Sequence, residues 1–483
     1  MEMTGESLTK KTIKGVIWSV LERFSVQGIH FIVTLVVARL LTPRDFGVVG
    51  MMAIFLAVAQ SFIDSGFSQA LIRKNNRTDV DCSTVFYFNI IVSAILYLLL
   101  FFLAPWIAEF YEEPQLVSIT RVLCIVVVIN SFSVVQRAIL TSSLDFKTQT
   151  KASLTSSLLS GVAGVIMAIK GFGVWTLVWQ QLLDAGICTM LLWFLSKWRP
   201  VLIFSWKSFK DLFSFGSKLL ASGLIDTIYT NIYPLIVGKV FNASSLGFYT
   251  QADKFVKLPS SNLTTVLVRV TYPVLCGIQD DDNRLEINYR RLLRVSAFII
   301  FPLMCVLAGI AKPLINVLLG KEWAFSATLL VPLSFAMMWW PIHAINLNLL
   351  KVKGRSDLFL KLEIIKKIIG VSILLASIPF GLVFMCYSSV ISSLICLFIN
   401  THYTSKFLNI SIISQMSDLL GSFVISMLTF TLVFLITQIV ESEIIALIVG
   451  TLIGFLFYIG LAYLFGCKEI DMVKELIKSI KYE

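Results

Sequence analysis

Charged and polar side chains embedded in apolar stretches carry the chemistry of this sequence. Near the N-terminus Arg23, Gln27 and His30 stand at i, i+4 and i+7, on one face of a helix. A guanidinium, an amide and an imidazole on one stripe offer donors to an anionic ligand, with Arg23 the strongest of them. Lys254 and Lys257 stand one turn apart, with Asp253 beside them and Arg269 further along the same run, and form a second donor group. Four carboxylates in apolar surroundings, Glu22, Asp64, Asp184 and Asp226, are candidates for binding a coupling Na⁺ or proton. An ionisable group inside a membrane costs roughly 2.5–3.5 kcal/mol on insertion scales, so those that are retained face a cavity or a partner. The competing reading of each cation is a structural ion pair with a nearby carboxylate.

Patterns for other chemistry are missing. The sequence has no Gly-rich phosphate loop and no GxSxG nucleophile. Asp280-Asp281-Asp282 reads as a solvated turn. The eight cysteines include no CxxC pair and fall mostly inside apolar segments, where a thiol behaves as a small hydrophobe. No metal, disulfide or other cofactor is expected.

The elements that must position these residues follow from composition. Of 483 residues, 57% are hydrophobic and 14% charged, whereas soluble domains carry roughly 25% charge. Apolar runs of about 20 residues, enough to cross roughly 30 Å of hydrocarbon, succeed one another along the chain. They predict helices near 15–41, 46–72, 84–109, 116–142, 152–169, 173–195, 212–238, 244–275, 292–318, 326–350, 358–379, 381–402, 418–440 and 443–466. The expected fold is an all-α polytopic membrane protein of about fourteen transmembrane helices. The net charge of +11 would suit a nucleic-acid binder, but its cations gather in alternate breaks. Arg73, Lys74 and Arg77 form one group, Arg137, Lys147 and Lys151 the next, then Lys197, Arg199, Lys207 and Lys210. Such loops stay in the cytoplasm, which puts both termini inside and excludes nucleic acid as a partner.

An internal repeat organises the helices. Val36-Val37-Ala38-Arg39-Leu40-Leu41 through Phe46-Gly47 matches Ile236-Val237-Gly238-Lys239-Val240-Phe241 through Leu246-Gly247, an ungapped offset of 200 residues. Six helices separate the matched points, so two lobes of equal orientation are expected, related by a pseudo-two-fold axis along the membrane normal. Residues 1–195 form the N-lobe, 196–211 a cytoplasmic linker, 212–402 the C-lobe, 403–467 helices 13 and 14, and 468–483 a cytoplasmic amphipathic helix. Lys254 and Lys257 match Ile54 and Ala57, so the second donor group belongs to one lobe alone.

The stretch VVARLLTPRDFGVVGMMAIFLAVAQSFIDSGFSQALIRK (Val36–Lys74) resembles the polysaccharide-transporter family of the multidrug/oligosaccharidyl-lipid/polysaccharide flippase superfamily. Lys170–Val178, Trp198–Pro200, Leu246–Pro259 and Gly354–Lys367 extend the resemblance over most of the chain, nearest to the colanic-acid and lipopolysaccharide exporter branch (Wzx-type). The resemblance implies two lobes around a central cavity and alternating access for an undecaprenyl-pyrophosphate-linked oligosaccharide in the bacterial inner membrane, by a monomer rather than an enzyme. Arg23, Gln27, His30, Lys254, Lys257 and Arg269 would then meet the pyrophosphate. A lipid II flippase and a cation-coupled drug antiporter of the same superfamily are the nearest alternatives. A glycan polymerase or glycosyltransferase is the rival from another class, though the outer loops are too short to hold its active site.

Overall fold

Caps and breaks divide the apolar runs into helices. Thr42 closes the N-terminus of α2 (Pro43–Met51) by a capping box: its hydroxyl accepts from the Asp45 N–H at 3.3 Å, and the Asp45 carboxylate accepts from the Thr42 N–H at 2.9 Å. Thr78 and Asp81 repeat the device at α5 (Asp79–Tyr111). In the computed structural model, residues 5–64, 66–74, 76–408, 410–467 and 469–470 are described. The amphipathic helix expected at 468–483 lies outside them apart from Glu469 and Ile470.

The remaining helices are α1 (Gly5–Ala38), α3 (Ala53–Asp64), α4 (Phe67–Arg73), α6 (Leu116–Leu123), α7 (Ile125–Ser131), α8 (Val134–Ser142), α9 (Phe146–Ile169), α10 (Val174–Leu195), α11 (Trp206–Val240) and α12 (Ala243–Cys276). After them come α13 (Asp282–Gly309), α14 (Ala311–Leu318), α15 (Ala324–Met337), α16 (Trp340–Val352), α17 (Ser356–Ser377), α18 (Leu382–Leu408), α19 (Ile412–Ile439) and α20 (Glu443–Leu464). The described residues contain no strand.

Among the described residues, eleven helical stretches are long and apolar enough to cross a membrane, or twelve if the bent pair Pro43–Met51 and Ala53–Arg73 is one span. The sequence expectation of fourteen exceeds this by two. The difference is α12 and α17, which are 34 and 22 residues long. Their shortfall is in apolar character and not in length: α12 carries Asp253, Lys254, Lys257 and Arg269 among many Ser and Thr residues, and α17 carries Lys361, Glu363, Lys366 and Lys367. Four expected single helices are broken: 46–72 at Met52 and again after Asp64, 116–142 after Leu123 and again after Ser131, 292–318 at Ile310, and 326–350 at Met338.

The chain divides into two compact units, Met1–Gly247 and Phe248–Glu483. This boundary lies beyond the 196–211 linker because α11 packs on α3, α4 and α5. Within unit 1 the two matched segments of the repeat meet. A Cβ on Gly47 would lie 1.6 Å from the Ala243 carbonyl oxygen, and one on Gly247 would lie 1.8 Å from that of Pro43. Each contact is backbone against backbone, at positions that differ by the repeat offset, so only glycine fits. Unit 2 packs α13 against α19 and α20. There Gly309 and Gly454 admit the Val433 side chain, and Tyr289, Asn346, Thr404 and Gln415 close a buried hydrogen-bonded knot.

Candidate functional site

Unit 1 encloses a polar cavity of about 330 Å³ whose walls come from α1, α7, α8, α9 and α10. Helix α9 makes its polar wall. Ser153, Ser156, Ser157 and Ser160 recur at i, i+3, i+4 and i+7, one small hydroxyl-bearing face between α1 and α10. The His30 Nε2 lies 3.2 Å from the Ser157 hydroxyl and 3.9 Å from an Asp184 carboxylate oxygen, so an imidazole of α1 and a carboxylate of α10 face each other across α9. The Ser160 hydroxyl donates to Asp184 at 3.4 Å, and the Ser153 hydroxyl donates to Glu22 at 2.9 Å. Asn130 on α7 lines the same cavity and donates to Gln60 at 3.0 Å, whose amide donates to Asp64 at 2.7 Å.

Of the four carboxylates expected to handle a cation, Asp184 thus lines one cavity together with His30, Glu22 lies one hydrogen-bonded step behind it through Ser153, and Asp64 two steps behind it through Asn130 and Gln60. Asp226 does not join them; it is exposed on α11, beside Thr227, whose hydroxyl meets Ser61 at 2.8 Å. Arg23 and Gln27 lie below His30 on α1 and are outside the cavity lining.

The second donor group lies in unit 2. Lys254 and Lys257 are exposed on α12, and Lys257 forms an i, i+4 ion pair with Asp253 at 2.7 Å. An ion pair within one helix neutralises the pair during insertion yet leaves the ammonium able to meet an anion. Arg269 is exposed further along α12. Helix α17 adds Lys366, only 11% exposed and paired with Glu363 at 2.5 Å. His343 on α16 is hydrogen-bonded on both ring nitrogens, to Ser393 at 3.1 Å and Asn400 at 3.3 Å, beside Trp339-Trp340-Pro341.

Arg137 corrects the loop reading. It falls inside α8, lines the cavity, and donates to the Cys188 thiol at 3.2 Å. Loop assignment from charge failed there because a cation at a span's end looks the same in sequence whether it turns outward or in. The serine face of α9 was the signal that would have found the cavity.

Residues 36–328 match the family described as polysaccharide biosynthesis protein. The chain is similar to the teichuronic acid biosynthesis protein TuaB of Bacillus subtilis, 26% identical over 354 residues and 73% of each chain. It is also similar to the lipopolysaccharide biosynthesis protein WzxC of Escherichia coli, 24% identical over 365 residues and 74% of each. Among solved structures, the lipid II flippase MurJ in its inward closed conformation superposes with a TM-score of 0.74 at 14% identity, covering 94% of this chain and 98% of that one. An inward-facing multidrug resistance MATE family transporter superposes with a TM-score of 0.61 at 16% identity, covering 82% and 99%. The chain therefore shares the fold of these two transporters, and the match over most of its length makes it a member of the polysaccharide biosynthesis protein family.

Proposed function

We propose that this chain translocates undecaprenyl-pyrophosphate-linked oligosaccharide from the cytoplasmic to the outer leaflet of the bacterial inner membrane by alternating access. The observation that carries the proposal is the family match on a MurJ-like fold. The names of the relatives agree, ExoT of Rhizobium meliloti being a succinoglycan biosynthesis transport protein. The α12 cations Lys254, Lys257 and Arg269, with Arg23 and Gln27 of α1, are the proposed pyrophosphate contacts. The unit 1 cavity, where His30 faces Asp184, is the proposed site of a coupling proton.

Fourteen spans remain the proposed topology. At 1.5 Å per residue even the 22 residues of α17 extend about 33 Å, enough to cross. Two six-helix lobes, 1–195 and 212–402, remain the proposed repeat units, supported by the reciprocal contacts of Gly47 and Gly247. Both termini are then cytoplasmic, and reporters fused after Lys74, Lys207 or Glu483 read inside while one within 109–113 reads outside.

The deciding experiment is reconstitution into vesicles, with export of fluorescent undecaprenyl-pyrophosphoryl oligosaccharide read by access of an external glycosidase. Export of that lipid above protein-free vesicles is expected. Export of lipid II alone would transfer the chain to the function named for its structural neighbour, and export of neither would end the proposal.

A further inference from the structure

The linker between α10 and α11 is built for a surface that is neither water nor hydrocarbon. Arg199 locks its start: the guanidinium donates to the carbonyl oxygens of Trp193 at 2.7 Å, Ser196 at 2.7 Å and Trp198 at 2.8 Å, and lies over the Trp193 ring. The next residues are stretched along the beginning of α5, where the Val201 N–H donates to the Ser83 hydroxyl at 2.9 Å and the Ser205 N–H to the Thr84 hydroxyl at 3.1 Å. Ser205 then caps α11.

The side chains held out by this strap are apolar. Leu202 is 93% exposed, Ile203 51%, Phe204 42% and Trp206 67%, and Phe194 at the end of α10 is 77% exposed. Flanking them, Lys197, Lys207 and Lys210 are exposed. Hydrocarbon cannot hold this segment, because an extended backbone there would leave N–H and C=O groups without partners. Water would leave a row of large apolar side chains solvated. The boundary between headgroups and acyl chains satisfies both, and its phosphates match the three ammonium groups. Phe194 continues the lipid-facing surface of α10 into the strap, while Arg199 is occupied by its carbonyl partners and takes no part.

We propose that residues 201–206 are a strap seated in the headgroup layer of the cytoplasmic leaflet, where Lys197, Lys207 and Lys210 bind anionic phospholipid. The inference does not depend on what the protein exports, and its test needs no export.

The full chain, with Leu202→Cys and with the partly accessible Cys276, Cys396 and Cys467 replaced by serine, is spin-labelled and reconstituted in phosphatidylcholine vesicles containing phosphatidylglycerol. The label at 202 is expected to collide more often with oxygen than with a water-soluble nickel chelate, while a control label at Asp280→Cys shows the reverse. In the unlabelled protein, spin-labelled phosphatidylglycerol is expected to be enriched over phosphatidylcholine at the protein surface. The enrichment at the strap should fall about fivefold for each of Lys197→Gln, Lys207→Gln and Lys210→Gln. A label at 202 that collides with nickel as freely as the one at 280 would overturn the seating. Equal association of the two lipids, or enrichment unchanged in the triple variant, would overturn the lipid site.

Discussion

Helices α2 and α3 on one side of the repeat and α12 on the other begin alike and then part. At their starts, Pro43 and Gly47 match Ala243 and Gly247, and each glycine receives the backbone of the other segment. Two turns later Ile54 and Ala57 stand where α12 has Lys254 and Lys257, and about two further turns on Asp64 stands where α12 has Thr264. What packing demands recurs in both copies. What appears in one copy alone answers to something other than packing, and here the balance differs in sign. Past the matched start the first copy has a lone acid, Asp64, and the second has the bases Lys254 and Lys257 with one acid, Asp253, between them and the helix start. A carrier that must hold an anionic lipid and exchange a cation has reason to keep the two tasks on different copies.

The largest expected effect tests the basic side. Lys254→Ala with Lys257→Ala removes two charge-assisted contacts of about 1.5–3 kcal/mol each, so export should fall by about a hundredfold or more. Asp253 then lacks its ion-pair partner, and Asp253→Asn added to the pair should restore membrane insertion if that is lost. Normal export by an inserted double variant would break the comparison, since the lysines would then be as dispensable as their apolar counterparts.

Next in size is the shared start. In an ordinary exposed helix, Gly→Ala stabilises by up to about 1 kcal/mol. At Gly47 or Gly247 the sign should reverse, because a methyl group 1.6 or 1.8 Å from a carbonyl oxygen forces two backbones apart. Overpacking of this kind costs about 1–3 kcal/mol or more. Gly47→Ala and Gly247→Ala should therefore lower the unfolding temperature of the purified protein by several degrees, while Gly28→Ala and Gly186→Ala, with nothing within 4 Å, should not. Unequal penalties at 47 and 247 would show that the two starts are less alike than their contacts.

The close contact of the two matched segments was legible in sequence, because an ungapped offset preserves the glycines that a close backbone contact requires. Eleven or twelve of the fourteen expected spans were legible too, since hydropathy over 20 residues needs no tertiary context. The breaks at Met52 and Met338 were not, because neither is marked by glycine or proline at the break and each depends on packing. The cavity was half legible. Its charged members His30, Asp184 and Glu22 stood out against apolar neighbours, but their convergence depends on α9 lying between α1 and α10. Arg137 was misplaced for the same reason: the packing of α8 on α9 and α10 decides which way it turns.

A smaller effect is expected at the start of α2. Arg44 donates twice to Glu113, at 2.8 and 3.0 Å, and its repeat counterpart is Ser244. Glu113 is buried but Arg44 is 59% exposed, so solvent screens the pair. Arg44→Ser should cost about 1 kcal/mol of stability, read as a shift of a few degrees in unfolding, and should leave export intact. Loss of export would show that this ion pair belongs to the transport cycle rather than to the fold.

The finest test concerns the acidic copy. His30 and Asp184 are 3.9 Å apart, beyond hydrogen-bond contact, with the Ser157 hydroxyl beside the imidazole. If the cavity holds the coupling proton as proposed, a proton bound between His30 and Asp184 would draw α1 toward α10 across α9, and its release would let them part. Glu22, Asp64 and Arg137 supply the remaining charge around the pair. Coupling to one proton can change the driving force by at most tenfold per pH unit. Wild-type export in vesicles should accordingly rise by up to that factor when the outer side is made more acidic by one unit. Asp184→Asn keeps a partner for Ser160 but cannot form the ion pair, so its export should proceed near the wild-type rate measured without a gradient and ignore the gradient when one is imposed. His30→Gln should behave the same way, whereas Asp226→Asn, on exposed α11, should respond like wild type. A gradient response that survives Asp184→Asn and disappears in Asp226→Asn would move the coupling proton out of the unit 1 cavity and onto α11.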